Sequence, residues 1–518
     1  MIDGVPLLQD YLIQSARRLP HKIALVCGRE RVAYGDLERR SNALANALAE
    51  RGVRRGDRVV VFAGNTVETV VSFWAVLKAN AIVSLINPLS APGRLEYCLN
   101  DLRATAMIAD AALADAFVPA ATRSPHLRAV FVSGALAPER ARLLPQCVSV
   151  ADAIGRAADA RPPVRDRLEI DLAAIIYTSG STGDPKGVML SHRNMLTAAT
   201  SIAAYLGNVE DDVFLNALPL AFDYGLYQMI MAFAAGARLV LEPSFAVVPQ
   251  VVARMEKERV TALPLLPTVC ALLAELKTLR EFDLSSVRYV TVSGATLTAK
   301  HIEFLRGAFP RARIFSMFGL TECKRCTYLP PEDLERKPTS VGIAIPNTEL
   351  WLVDEEGREV GPHQVGQLVI RGATVMQGYW DDPALTAERL KPGASPGERV
   401  LYTGDLCTRD DDGYLYFVGR TDEVIKSRGE KVAPREVEIT LGRIPGIREA
   451  AVIGVLDPIL GQAVKAYVVL DHDVALSASQ ILAVCQRSLA VASVPKHVQF
   501  VSSLPRGATG KIDKTALS

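Results

Sequence analysis

Eleven residues, Tyr177 to Gly187, read Y-T-S-G-S-T-G-D-P-K-G. Successive backbone N–H groups in such a Gly/Ser/Thr turn form a concave nest for an anion. Thr178, Ser179, Ser181 and Thr182 add hydroxyl donors, and Gly180 and Gly183 add conformational freedom. Lys186 brings a positive charge behind Pro185, whose fixed φ stiffens the approach. This is phosphate chemistry, but it is not a Walker A loop. That motif needs Gly-Lys-Ser/Thr five residues after its first Gly, and counting from Gly180 the positions hold Pro185, Lys186 and Gly187. An ordinary solvated turn has no need of five donor side chains and three glycines in eleven residues.

A second cluster that could do chemistry is C-K-R-C, with Cys323 and Cys326. A zinc site would need two further ligands, and no second cysteine pair or histidine cluster follows, so packing or pocket lining is the expected role. The other cysteines of the eight are scattered, as reduced thiols of a cytoplasmic protein would be. Net charge is +1, so there is no basic field to draw in nucleic acid or anionic lipid. The start, M-I-D-G-V-P-L-L, lacks the layout of a signal peptide. The most apolar stretch, Val67 to Ile86, is interrupted by Glu68, Lys78 and Asn80 and reads as a buried helix running into a strand, not a membrane span.

The elements that must position these groups follow from periodicity. Asp36 to Arg51 carries Leu37, Leu44 and Leu48 on one helical face and stops at Gly52. Val59 to Phe62 is a short buried-strand run, and Thr66 to Ala79 returns to the helical period. This alternation predicts a layered α/β architecture. Arg161 to Arg167 reads as a polar connector ahead of a strand, Asp171 to Tyr177, and the eleven-residue motif follows as a loop. His192 to Leu206 is then a helix capped by Ser191 and ended by Gly207. Beyond about residue 420 charge density rises, and short strands (Ala451 to Val455, Ala463 to Leu470) surround a helix near Ala478 to Ala490. The expected organisation is a large α/β domain of several subdomains, 1–419, and a small α+β domain, 420–518.

Four further stretches join the phosphate loop: M-F-G-L-T-E (Met317–Glu322), Y-T-G-D-L (Tyr402–Leu406), G-R-T-D-E-V-I-K-S-R-G-E-K-V-A-P-R-E-V-E (Gly419–Glu438) and L-P-R-G-A-T-G-K-I-D (Leu504–Asp513). Together and in this order they resemble the adenylate-forming superfamily of acyl-CoA synthetases, peptide-synthetase adenylation domains and luciferases. The resemblance spans the chain and implies two steps. A carboxylate attacks the α-phosphorus of ATP to give an acyl-adenylate and pyrophosphate, and a thiol then displaces AMP. It implies Glu322 as the Mg²⁺ ligand with Thr321 near the α-phosphate, and Lys511 as the adenylation lysine. It puts Phe318 and Gly319, Gly294 and Ala295 around the adenine, and Asp405 with Arg420 on the ribose. Asp422 matches the hinge about which the small domain turns. Lys426, Arg428 and Gly429 lie on the face that forms the thiol channel for the second step. CoA is the expected thiol, and the phosphopantetheine of a separate carrier protein is the alternative. Only eight residues follow Gly510, so no fused carrier domain is expected. A non-catalytic relative would lack Lys511, Glu322 or Asp405, and all three are present.

The same resemblance puts the acyl pocket at Phe222, Asp223, Gly225 and Leu226, with Met317, Cys323 and Lys324. Phe-Asp here is found in amino-acid-activating relatives, whose Asp binds the substrate ammonium, whereas Tyr224-Gly225 departs from them. Two readings follow. Either Asp223 receives an ammonium, or Lys324 or Arg325 neutralises it and the pocket takes another acyl group. The chain thus resembles stand-alone bacterial ligases of both kinds, acyl-CoA and aminoacyl or prolyl carrier-protein ligases.

Overall fold

The computed structural model describes residues 6–89, 92–156, 161–179, 185–294, 297–428, 430–458, 460–471, 474–507 and 512–517. Two compact units emerge. The first holds Met1–Pro338, Ala344–Glu349 and Arg371–Arg399, and the second Thr339–Ile343, Leu350–Ile370 and Val400–Ser518. The units interleave along the chain, and residues 400–419 cluster with the second.

In the first unit an eight-stranded sheet runs in the order Gly378–Tyr379, Pro185–Ser191, Leu172–Ser179, Ile82–Leu85, Arg58–Phe62, Ala106–Asp110, Ala129–Ser133, Cys147–Ser149. Its middle is parallel, and such strands, covered on both faces, read as continuous apolar runs such as Val59-Val60-Val61-Phe62. Val60, Phe62, Met107, Phe117, Val130 and Ile175 share one core. A second sheet sets Thr327–Leu329, Arg313–Phe318, Tyr289–Val292, Ala262–Leu265, Val213–Asn216 and Arg238–Leu241 side by side.

The helices expected from periodicity form close to their expected bounds: Tyr34–Glu50, Val67–Lys78 and His192–Leu206. The last has a capping box in which Ser191 and Asn194 satisfy each other's backbone donors, and Gly207 ends it at φ 64°. Val67–Lys78 runs on to the strand Ile82–Leu85. No helix among the described residues is long and apolar enough to cross a membrane.

The stretch expected to be a polar connector is a mostly exposed coil, anchored at two arginines. Arg167 is buried, and its guanidinium donates to the Asn80 carbonyl at 2.8 Å and the Leu172 carbonyl at 2.6 Å, while Arg165 pairs with Asp10 at 2.9 Å. Burial lowers the Arg167 pKa to about 10. Arginines can serve as interior donors to unpaired carbonyls, which a composition-based reading of polarity overlooks.

In the second unit a five-stranded sheet carries Glu430–Val432, Ile425–Ser427, Gly461–Leu470 and Ile447–Asp457, with His497–Phe500 beside Gly461–Leu470. The helices Pro434–Gly442 and Ala478–Ser488 supply Val437, Leu441, Ile481 and Cys485 to a core shared with Val452 and Val464. The same unit holds an antiparallel pairing of Arg399–Arg409 with Leu415–Arg420, which sets Asp405 opposite Arg420.

Candidate active site

The phosphate motif is only partly a loop. Strand Leu172–Ser179 pairs antiparallel with Pro185–Ser191, in register Thr178↔Lys186 and Ser179↔Pro185. Gly180, Ser181, Thr182 and Gly183 lie outside the described residues. Thr178 and Lys186 are half-buried at the end of this hairpin. Gly187 has no room for a side chain, since a Cβ would meet Ile175 Cγ2 at 2.9 Å and Trp380 Cβ at 3.2 Å. The Tyr177 hydroxyl donates to Asp101, and burial followed by that bond holds its pKa well above the usual phenol range.

The M-F-G-L-T-E segment leaves strand Arg313–Phe318 and folds back at once. The Cys326 N–H donates to the Phe318 carbonyl at 2.9 Å, and the Cys323 and Lys324 N–H groups donate to the Leu320 carbonyl at 3.2 and 2.9 Å. Gly319 makes the turn possible, because a Cβ there would sit 2.7 Å from the Arg325 backbone. Lys324 and Arg325 adopt φ of 33° and 62°, a region that costs a non-glycine residue about 1–3 kcal/mol. Phe318, Thr321 and Glu322 remain half-buried. Gly294, just after strand Tyr289–Val292, has φ +97° and so needs to be glycine; Ala295 lies outside the described residues.

Glu322 is held by a residue that the sequence did not single out. Tyr379 donates its hydroxyl to Glu322 Oε1 at 2.8 Å, and the Met376 N–H donates to the Glu322 carbonyl at 2.8 Å. Tyr379 sits on strand Gly378–Tyr379, which pairs with Pro185–Ser191 in register Tyr379↔Val188. One tyrosine thus couples this glutamate to the strand that leads out of the phosphate motif. Among the described residues no three metal-ligating side chains cluster. A lone carboxylate suits magnesium, which takes one or two carboxylates and completes its shell with phosphate oxygens and water. The donor set therefore fits the group that the motif implies.

The expected acyl-pocket residues gather at the start of helix Asp223–Ala235. Phe222 precedes it and is half-buried, and Leu226 is buried within it. Gly225 is compulsory, since a Cβ would fall 2.5 Å from the Pro219 carbonyl oxygen. Lys324 Nζ lies 3.0 Å from Asp223 Oδ2, with both side chains buried. Burial lowers the Lys324 pKa to about 8, and the Asp223 carboxylate limits the fall. The Met317 thioether accepts from the Tyr205 hydroxyl at 3.1 Å and from Arg325 Nη1 at 2.9 Å. Cys323 and Cys326 are buried and not joined in a disulfide, their sulfurs 2.8 Å apart.

In the second unit, Arg420 Nη1 donates to Asp405 Oδ1 at 3.1 Å, while its Nε and Nη2 donate to the two oxygens of Asp422 at 2.9 and 3.2 Å. Burial works against the Arg420 charge, but Asp422 and Asp405 outweigh it and raise the pKa. Asp405 is buried, and its N–H is anchored on Thr403 Oγ1 at 3.0 Å. Lys426 is exposed on strand Ile425–Ser427, its N–H bonded to Gln462 Oε1 at 2.7 Å. Arg428 is exposed, with φ 57°. Gly429 and Lys511 lie outside the described residues.

Comparison with known proteins identifies the family. The AMP-binding enzyme family matches residues 12–380, and the AMP-binding enzyme C-terminal domain matches residues 436–511. The chain is 31% identical to the long-chain-fatty-acid–CoA ligase of Escherichia coli O157:H7, over 98% of this chain and 93% of that protein. The structure superposes on the crystal structure of ATP-bound MatB from Rhodopseudomonas palustris with a TM-score of 0.86 at 28% identity, covering 98% of each chain. It superposes on the anthranilate CoA ligase AuaEII in complex with anthranoyl-AMP with a TM-score of 0.87 at 30% identity, covering 99% of this chain and 96% of that one. Two of these relatives are named for different acids, a long-chain fatty acid and anthranilate. The chain belongs to the AMP-binding enzyme family, as an AMP-forming acid–thiol ligase.

Proposed function

We propose that this chain activates a carboxylic acid other than an α-amino acid and delivers the acyl group to CoA, in the cytoplasm. One observation carries the choice of acid class. The Asp223 carboxylate, the only group of the expected pocket suited to a substrate ammonium, already has an internal ammonium partner in Lys324 at 3.0 Å. An amino acid would have to displace a buried cation and leave it unpaired, which is costly. The reading that Asp223 receives an ammonium, and with it the carrier-protein loading of a proline-like substrate, is therefore the weaker one.

In the first step the acid's carboxylate oxygen bonds to the α-phosphorus and the bond to pyrophosphate breaks. The phosphate motif, with Thr178 and Lys186 at its ends, holds the β- and γ-phosphates, and Thr321 lies by the α-phosphate. Bound magnesium would screen the phosphates, with Glu322 as its protein ligand. Phe318, Gly319 and Gly294 border the adenine, and Asp405 accepts from the ribose hydroxyls with Arg420 beside it. Lys511 spans the attacking carboxylate and the α-phosphate, where negative charge shifts during bond formation. In the second step the thiolate of CoA bonds to the acyl carbon and AMP leaves. The small domain, turning at Asp422, replaces Lys511 by the Lys426–Gly429 face, with Arg428 beside the thiol channel.

A hydroxylamine-trapped adenylation screen over fatty, aryl, dicarboxylic and amino acids, repeated with CoA, tests this. Hydroxamate formation with acids lacking an α-amine, and a CoA thioester from the same acids, is expected. Turnover restricted to amino acids, or to a carrier protein as acceptor, would falsify it.

A further inference from the structure

The turn after Glu322 carries two cations into the interior and meets them with one carboxylate. Lys324 is 4% exposed and pairs with Asp223. Arg325 is 3% exposed, and among the described residues its guanidinium forms no ion pair and no hydrogen bond to oxygen. One of its nitrogens lies 2.9 Å from the Met317 thioether, a weak acceptor already shared with the Tyr205 hydroxyl. Its face lies 4.4 Å from the centre of the Tyr224 ring. A ring face and a thioether offset only part of what a buried guanidinium loses by leaving water. Arginine cannot escape by losing its proton. Nearby, the Tyr227 hydroxyl is buried without a hydrogen-bond partner, and its ring centre lies 4.8 Å from Lys324 Nζ. Two buried polar groups on one layer are thus short of acceptors.

The backbone is committed to this arrangement. Both cationic residues occupy the left-handed region, and Gly319 is the residue that lets the turn close on them. An uncharged side chain would fill the same interior without the cost of burying a charge. Two cations against one carboxylate leave a single unmatched positive charge.

We propose that the acid activated by this enzyme carries a second carboxylate, and that Arg325 binds it. The proposal rests on the ligase reading above. A carboxylate neutralises the unmatched charge one for one, and its planar pair of oxygens suits the parallel donors of a guanidinium. An unsubstituted fatty acid leaves the charge uncompensated, and an amine adds repulsion.

The test is CoA-dependent pyrophosphate release over matched sets: straight-chain and aryl dicarboxylates, their monomethyl half-esters, and monocarboxylic acids of equal length. For at least one set, kcat/KM for the diacid should exceed both partners by about tenfold or more. Arg325→Met should remove that advantage, lowering kcat/KM for the diacid about tenfold or more while the monoacid changes less than about twofold. Arg325→Lys should retain part of it. The wild-type series stands even if the variants fold poorly. Half-esters or monoacids equal to or better than every diacid overturn the proposal and leave the ligase reading standing. Absence of pyrophosphate release with any acid overturns the ligase reading, and this proposal with it.

Discussion

The acyl-pocket turn and the ribose clamp are built from the same side chains in opposite proportion. In the turn, Lys324 and Arg325 face the single carboxylate of Asp223. In the clamp, the Arg420 guanidinium pairs with both Asp405 and Asp422. Among the described residues, the turn keeps a surplus of the sign that an anionic ligand lacks, whereas the clamp sets two carboxylates around one guanidinium. Ribose hydroxyls are donors and suit a carboxylate acceptor, whereas a surplus cation awaits an anion. The difference teaches that the unmatched charge, more than the number of ion pairs, marks where a ligand completes the structure.

The comparison breaks most visibly if the pocket's one carboxylate is removed. Asp223→Ala leaves two buried cations without an anion, and a loss of about 3–5 kcal/mol in stability is expected, read by denaturant unfolding. Replacing both members, Asp223→Ala with Lys324→Met, should recover most of that loss because no new unmatched charge remains. If the double variant is as unstable as the single one, the cost lies in packing, not charge. On the clamp side, Asp405→Ala leaves Arg420 its Asp422 partner, so the fold should hold while the ribose loses its acceptor. About a hundredfold fall in kcat/KM for ATP is expected in pyrophosphate exchange, with the melting temperature little changed. An unchanged ATP dependence would remove Asp405 from nucleotide binding.

These two charge balances were unequally legible in the sequence. The helix His192–Leu206 could be read to the residue because its limits are local: Ser191 and Asn194 cap one end and Gly207 the other. Asp405 and Arg420 lie in recognisable motifs on neighbouring strands, so their meeting could be expected. The Asp223–Lys324 pair could be written only as one of two options, since its members lie far apart in sequence and only tertiary packing selects Lys324 over Arg325 as partner. Tyr379 passed unnoticed, because a tyrosine after Gly378 carries no signal until the strand pairing with Pro185–Ser191 turns it to Glu322. The Arg161 to Arg167 stretch is the connector its polarity suggested, except at one residue that sequence could not mark. Arg167 is buried and spends its donors on the carbonyls of Asn80 and Leu172.

The smallest effect sharpens the comparison by titration. Burial lowers the Lys324 pKa from its usual value to about 8, whereas in the clamp the carboxylates raise that of Arg420. Below about pH 8 Lys324 is charged in both folded and unfolded chains, and the fold bears the whole cost of burying that charge. Between about pH 8 and the ordinary lysine value near 10.5 the unfolded chain binds more protons than the folded one, so this lysine's contribution to stability improves as pH rises. Lys324→Met has no such term. The melting temperature of wild type relative to Lys324→Met should therefore rise by about 2–4 °C from pH 7.5 to pH 9.5. Arg420→Met offers the control, because a guanidinium does not titrate in that range and the difference from wild type should stay flat. A constant difference for both variants would mean that Lys324 keeps its ordinary affinity for the proton, and that Asp223 compensates its burial in full.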